Sequence, residues 1–217
     1  MYKAVIFDLD GLLVDTEIIS CRIYNEILKP YGKNMPVSHY SLYYSGKTEK
    51  ANTERLIKEY ELNISQERCF ELVEKYEMDF VYKGVDLKSG AKELLEYLKA
   101  NNYHIGLATS SKRDRGIYIL KSNNIYDYFE DFVFADEIER SKPDPDIFLK
   151  AIHKLNMKPE ECLILEDSEA GVMAAHNAGA DVINIPDMKI IRDDYQKLCA
   201  AILKSLDRVI EYLDRKD

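Results

Sequence analysis

Four short stretches of the chain carry residue types able to do chemistry. Asp8-Leu9-Asp10-Gly11 follows the apolar run Ala4-Val5-Ile6-Phe7. Residues two apart on an extended chain point to the same side, so both carboxylates can face one site. Two acids in one pocket are costly unless a cation neutralises them or one keeps its proton, and either state is useful for catalysis. Taken alone, the string reads more simply as an acidic turn, for which Asp-Gly is common.

Leu165-Glu166-Asp167-Ser168 again sets acids directly after an apolar run, ahead of a helical pattern through Ala170, Val172, Met173 and Ala174. Ser168 there also suits an N-cap, and acids suit the first turn of a helix. Adjacent strand residues face opposite sides, so one of the two acids, Asp167, is the expected direct metal ligand, with Glu166 behind it. In Ala108-Thr109-Ser110-Ser111-Lys112 a hydroxyl and amide groups at a helix opening suit an anion, although Ser and Thr there are commonly plain caps. Ser141-Lys142-Pro143-Asp144-Pro145 opens a pattern through Ile147, Phe148, Ala151 and Ile152. A cation at a helix start opposes the dipole, a mild cost that asks for a reason, while spacing alone favours a solvated lysine.

The elements that position these residues follow from hydrophobic pattern. Ala4 to Phe7, His104 to Ala108, Phe132 to Ala135, Cys162 to Leu165 and Val182 to Ile185 are short apolar runs separated by helical patterns. That alternation predicts an α/β fold with a parallel sheet. Asp8, Thr109 and Asp167 each fall where a strand ends, and Lys142 in the connection after another, the edge where open α/β sheets bind ligands. Between the first two strands lie far more residues than one crossover helix needs. Ile19, Ile23 and Ile27 repeat at helical spacing, as do Leu56 with Tyr60, and Cys69, Leu72, Val73, Tyr76 and Phe80. The expected organisation is a core of residues 1–15 and 88–217 with an α-helical insert over 16–87. Tyr40, Tyr43 and Tyr44 of the insert are read as packing residues.

Bulk properties narrow the partners. Hydrophobic residues make up 46% and charged residues 32% of the 217, enough for one packed domain with an insert. A net charge of -9 opposes non-specific attraction to nucleic acid or anionic lipid, so an anionic ligand must be held by local charge. Cys21, Cys69, Cys162 and Cys199 form no C-x-x-C pair, which suggests neither a zinc cage nor a redox motif. No apolar run suits a signal peptide or a membrane span, and a cytoplasmic location is expected.

The string Phe7-Asp8-Leu9-Asp10-Gly11-Leu12-Leu13-Val14-Asp15-Thr16-Glu17, Thr109, Lys142 in Ser-Lys-Pro-Asp-Pro-Asp and Glu166-Asp167-Ser168 together resemble the four ordered motifs of the haloacid dehalogenase-like hydrolases. The resemblance is strongest to the branch containing β-phosphoglucomutase and small phosphatases. It implies a Rossmann-like parallel sheet core with an inserted α-helical cap domain. It further implies that Asp8 attacks phosphorus and forms an aspartyl phosphate, while Asp10 protonates the leaving oxygen and then deprotonates water. Mg2+ is implied on Asp8, the Asp10 carbonyl and Asp167, with Glu166 close by, and Thr109, Ser110 and Lys142 on the transferring oxygens. The substrate so implied is a small phosphorylated metabolite.

Asp10 argues against a dehalogenase or phosphonate hydrolase, which depart at that position. In the cap, Gly46 and Lys47 occupy the loop that bears on substrate in this branch, and Lys47 is equally suited to plain exposure. The His and Arg that a β-phosphoglucomutase cap contributes are replaced here by Ser20 and Glu49, which favours a phosphatase over a mutase. A non-catalytic binding protein of the same fold would show decay in at least one motif, and none is decayed.

Overall fold

The computed structural model describes residues 1–215. In chain order its regular elements begin with β1 (Ala4–Phe7) and helices α1 (Glu17–Leu28), α2 (Val37–Tyr43), α3 (Glu49–Glu59), α4 (Gln66–Lys83) and α5 (Ala91–Ala100). They continue with β2 (His104–Ala108), α6 (Arg113–Ser122), β3 (Asp131–Val133), α7 (Asp146–Lys154), β4 (Cys162–Glu166) and α8 (Glu169–Asn177). The last are β5 (Asp181–Asn184), α9 (Asp193–Gln196), β6 (Ala201–Ile202) and α10 (Arg208–Asp214). The chain divides into two compact units, Met1–Asp15 together with the chain from Asp86 onward, and Thr16–Val85. No described helix is long and apolar enough to cross a membrane.

In the first unit six parallel strands form one sheet in the order β3-β2-β1-β4-β5-β6. This is an α/β, Rossmann-like arrangement. Every residue of β1 and β4 is buried, as expected of central strands covered on both faces. Ile147, Phe148 and Ile152 of α7 and Val172 of α8 join Ile6, Ile164 and Val182 of the sheet in one apolar cluster. Burying a side chain such as Phe148 contributes about 1.5–3 kcal/mol. Register matters most for function: Phe7 pairs with Leu107 and with Leu165, so the residues just beyond these three emerge at one level. A slip of one residue would turn Asp8 to the opposite face.

Two details depart from the sequence expectation. β3 begins at Asp131 and stops at Val133, with Ala135 in a following 3-10 turn, and a sixth strand exists. β6 is two residues long, with Ile202 40% exposed, and it lies within the apolar run Leu198 to Leu203, which the sequence reading did not take for a strand. Backbone bonds from Ala200 N to Val182 O (2.8 Å) and from Leu203 N to Asn184 O (2.9 Å) hold it. At the base of the insertion, Asp15 N donates to Asp86 O (3.0 Å) and Lys88 N to Leu13 O (2.8 Å). This pairing draws Asp86 and Leu87 into the first unit, ahead of the boundary at 88 expected from sequence.

The second unit is helical. Ile19, Ile23 and Ile27 of α1 are buried, and α1 packs on α4, whose Cys69 and Val73 are also buried. Thr48 caps α3 and Ser65 caps α4, each side chain accepting from a backbone amide three residues on. Tyr40 and Tyr44 are buried and stacked with ring centroids 6.0 Å apart, so they are packing residues as read from the sequence. Tyr43 is instead 38% exposed beneath the Arg55 guanidinium, 4.7 Å from its ring centre.

Candidate active site

The strand order of the sheet reverses between β1 and β4, and a crevice at the carboxyl ends of such strands is where α/β folds take ligands. Asp8 leaves β1 there and Glu166 ends β4 beside it. Lys142, read from spacing alone as a surface lysine, is buried between them. Its Nζ donates to Asp8 Oδ1 at 2.6 Å, to Glu166 Oε1 at 2.5 Å and to Ala108 O at 3.4 Å. The ring of Phe148 lies 4.8 Å away. Helix α7 begins at Asp146, so Lys142 stands ahead of its first turn and escapes the dipole conflict expected there. Removing one partner of such a buried charge group costs about 3–5 kcal/mol.

Electrostatics follow from this burial. Burial pushes the Asp8 carboxyl up to about 7, against the opposing pull of Lys142, and the charges of Glu166 and Asp10 add to the rise. Burial works against the Lys142 ammonium too, but the carboxylates of Asp8 and Glu166 outweigh it and hold its pKa above the ordinary value. One ammonium thus serves several acids.

Asp8, Glu166 and Asp167 each offer a carboxylate oxygen, and these lie within 4.8 Å of one another. A hard, oxygen-only donor set of this kind suits a divalent cation such as magnesium or calcium. Glu166 is already engaged: Lys142 holds Oε1, while the Ser168 amide and hydroxyl each donate to Oε2 at 3.0 Å. Lys142 also holds Asp8 Oδ1, so its ammonium is shared by Asp8 and Glu166 within the cluster. Ser168 has a second task, since its Oγ accepts from Gly171 N at 3.0 Å and caps α8.

Two glycines make room for this cluster. Gly11 has φ +78°, and a Cβ there would stand 2.5 Å from Asp167 Oδ2. At Gly171 a Cβ would overlap the Glu166 carboxylate itself. Gly171→Ala is expected to cost about 1–3 kcal/mol by overpacking and to lower kcat by displacing Glu166 and, through it, Lys142. Urea denaturation and steady-state rates measure both effects. Unchanged stability and rate would show that Glu166 has another resting place.

Asp10 is held by Arg115, which the sequence reading passed over, and by Ser111, read there only as part of an anion-binding loop. Arg115 Nη1 lies 2.8 Å from Asp10 Oδ1 and 3.0 Å from Oδ2, and Ser111 Oγ donates to Oδ2 at 2.5 Å. Ser111 precedes the extended cap of α6 and Arg115 lies in its first turn, and no sequence period pairs either with Asp10. Thr109 is buried at the end of β2, and its hydroxyl accepts from the Ser111 amide at 3.0 Å, so it shapes the loop and is no helix cap. Ser110, between them, is exposed.

In the helical unit, Ser20 and Lys47 line one polar cavity of about 110 Å³ with Glu17, Tyr40, Glu49 and Glu77. Gly46 precedes Lys47 in the exposed loop before α3 with φ +71°. The lining carries three carboxylates against a single ammonium.

Residues 5–185 match the model of haloacid dehalogenase-like hydrolases, and the chain belongs to that family. Family enzymes of this kind generally work with a divalent metal. A phosphorylated carbohydrates phosphatase of Thermotoga maritima is 32% identical over 83% of this chain and 83% of its own length. A β-phosphoglucomutase of Bacillus subtilis is 33% identical over 84% of this chain and 83% of its own. Among solved structures, a β-phosphoglucomutase of Clostridium difficile shares the fold with a TM-score of 0.76 at 26% identity, over 100% of this chain and 97% of that one.

Proposed function

We propose that the protein is a magnesium-dependent phosphatase of small phosphate monoesters, sugar phosphates or similar metabolites, acting through an aspartyl phosphate on Asp8. The observation that carries this reading is the Lys142 ammonium held between Asp8 and Glu166 with Asp167 alongside, at the carboxyl edge of the sheet. The Thermotoga and Bacillus relatives, both named for phosphorylated carbohydrates or sugars, support the substrate class.

In this reading Asp8 attacks phosphorus in line and displaces the leaving alcohol, to which Asp10 gives a proton. Water then cleaves the acyl phosphate as Asp10 takes its proton, and inorganic phosphate leaves with Asp8 restored. Arg115 and Ser111 keep the Asp10 carboxyl oriented through both halves. Lys142 and the loop of Thr109 and Ser110 bind the transferring oxygens, with Lys142 supplying local positive charge in an acidic protein. A magnesium ion on Asp8, the Asp10 carbonyl and Asp167 would neutralise the charge crowded at phosphorus.

The mutase reading draws on the β-phosphoglucomutase relatives, but a mutase must bind a bisphosphate in two orientations and so needs a second cationic phosphate site in its cap. The cavity of Ser20 and Lys47 sets Glu17, Glu49 and Glu77 against that one lysine, which disfavours a distal phosphate and suits a neutral, hydroxylated leaving group. We assign leaving-group selection to this cap cavity and the Gly46 loop. Phosphate release from a panel of monoesters is expected, with little conversion of β-glucose 1-phosphate to glucose 6-phosphate when a bisphosphate primer is supplied. A coupled glucose 6-phosphate dehydrogenase assay reads the second reaction directly. Isomerisation much faster than phosphate release would reverse the assignment and point to Lys47 as the distal ligand.

A further inference from the structure

Asp187 lies beyond β5, in a segment to which no catalytic task has been given. One of its oxygens, Oδ1, is ion-paired with Lys88. The other, Oδ2, is buried and has no hydrogen-bond partner among the described residues, although the side chain is only 8% exposed. A buried carboxylate oxygen without a donor is costly, and such an orphan asks for a ligand or a water. Its direction is given by Gly11: the point where a Cβ would stand is 3.4 Å from Asp187 Oδ2 and 2.5 Å from Asp167 Oδ2. Two carboxylate oxygens therefore bracket one small gap that the absent side chain of Gly11 keeps open.

Magnesium prefers six oxygens in near-octahedral array and gives up its waters reluctantly, so protein carboxylates and a phosphate leave roughly two positions to water. Each such water has protons that need acceptors. We propose that Asp187 is a positioning residue of the metal site: its Oδ2 accepts a hydrogen bond from a water on the ion that Asp8 and Asp167 hold, while Lys88 fixes its other oxygen. The inference rests on the metal site of the proposed function. Lys88 belongs to the returning segment whose amide bonds Leu13, so the anchor of Asp187 is itself tied to the loop that follows Asp8 and Asp10. Residues that orient the groups around a metal typically change its affinity about 10–100-fold when replaced.

Asp187→Asn keeps the shape and replaces one acceptor with an amide. Calorimetric titration of the substrate-free protein with MgCl2 is expected to show affinity weakened about 10–100-fold relative to the parent. In turnover, the magnesium concentration for half-maximal rate should rise by a similar factor while kcat recovers at saturating magnesium. A purely structural aspartate would lower stability or kcat and leave magnesium affinity alone. Asp167→Asn serves as the reference, since loss of a direct ligand should abolish binding. If the parent binds magnesium, Asp167→Asn does not, and Asp187→Asn binds within twofold of the parent, the role of Asp187 is refuted and the metal site stands. If the parent itself binds none, the metal site fails and this inference with it. Should circular dichroism show Asp187→Asn unfolded, Asp187→Glu, whose longer arm displaces the acceptor, is titrated with the same two readings.

Discussion

Asp8→Asn is expected to lower phosphate release from p-nitrophenyl phosphate by about 10⁴-fold or more. The amide has the carboxylate's shape but neither the charge nor the free oxygen needed to form an acyl phosphate. Its far-UV circular dichroism should match the parent's, because the neighbours that surround Asp8 can keep their places. Lys142, 2.6 Å from Asp8 Oδ1, can still donate to the amide oxygen and keeps Glu166 as its charged partner. Acid-quenched parent enzyme should carry phosphate on Asp8, and the variant none. Near-parental turnover in the presence of magnesium would remove Asp8 from the mechanism.

Stripping divalent metal with EDTA should lower turnover roughly 10²–10³-fold, with recovery on adding magnesium, since a bound ion stabilises the transition state by several kcal/mol. The buried site shows why. Burial pushes the Asp8 carboxyl up to about 7, and Lys142 opposes that rise. A divalent ion held by Asp8 and Asp167 would set positive charge beside the nucleophile and favour its ionised form. Calcium is expected to inhibit, because its larger and looser coordination sphere misplaces Asp8 relative to phosphorus. Full activity in a verified metal-free preparation would remove Asp167 from the site.

Legibility differed between the sheet edge and its surroundings. The runs ending at Phe7, Ala108 and Leu165 marked β1, β2 and β4 because a strand buried on both faces must be apolar throughout, and so the acids and hydroxyl that follow stood out. β6 went unread although it lies in the apolar run Leu198 to Leu203, because a short apolar run does not by itself separate a strand from a buried turn or helix end. Lys142 was visible as a lysine in a helix-opening string but not as a buried one. Its burial depends on Phe148 beneath it and on two carboxylates arriving from β1 and β4.

What the amino-acid order determines by itself is the class of fold, the insertion after the first strand and the set of acids, hydroxyl and lysine that end the strands. These follow from local pattern: apolar period, chain direction and residue type act over a few neighbouring positions. What the tertiary structure alone decides is which of these groups meet and what holds them. Arg115 on Asp10 spans 105 residues of chain, and Asp187 on Lys88 spans 99, separations that no periodicity encodes. The surroundings of Glu166 are also tertiary: the acid ends a strand in the sequence, and only the fold brings Lys142 and the capping Ser168 onto it. A charge in a buried site is defined by its partners, and partners are brought together by the packing of whole elements.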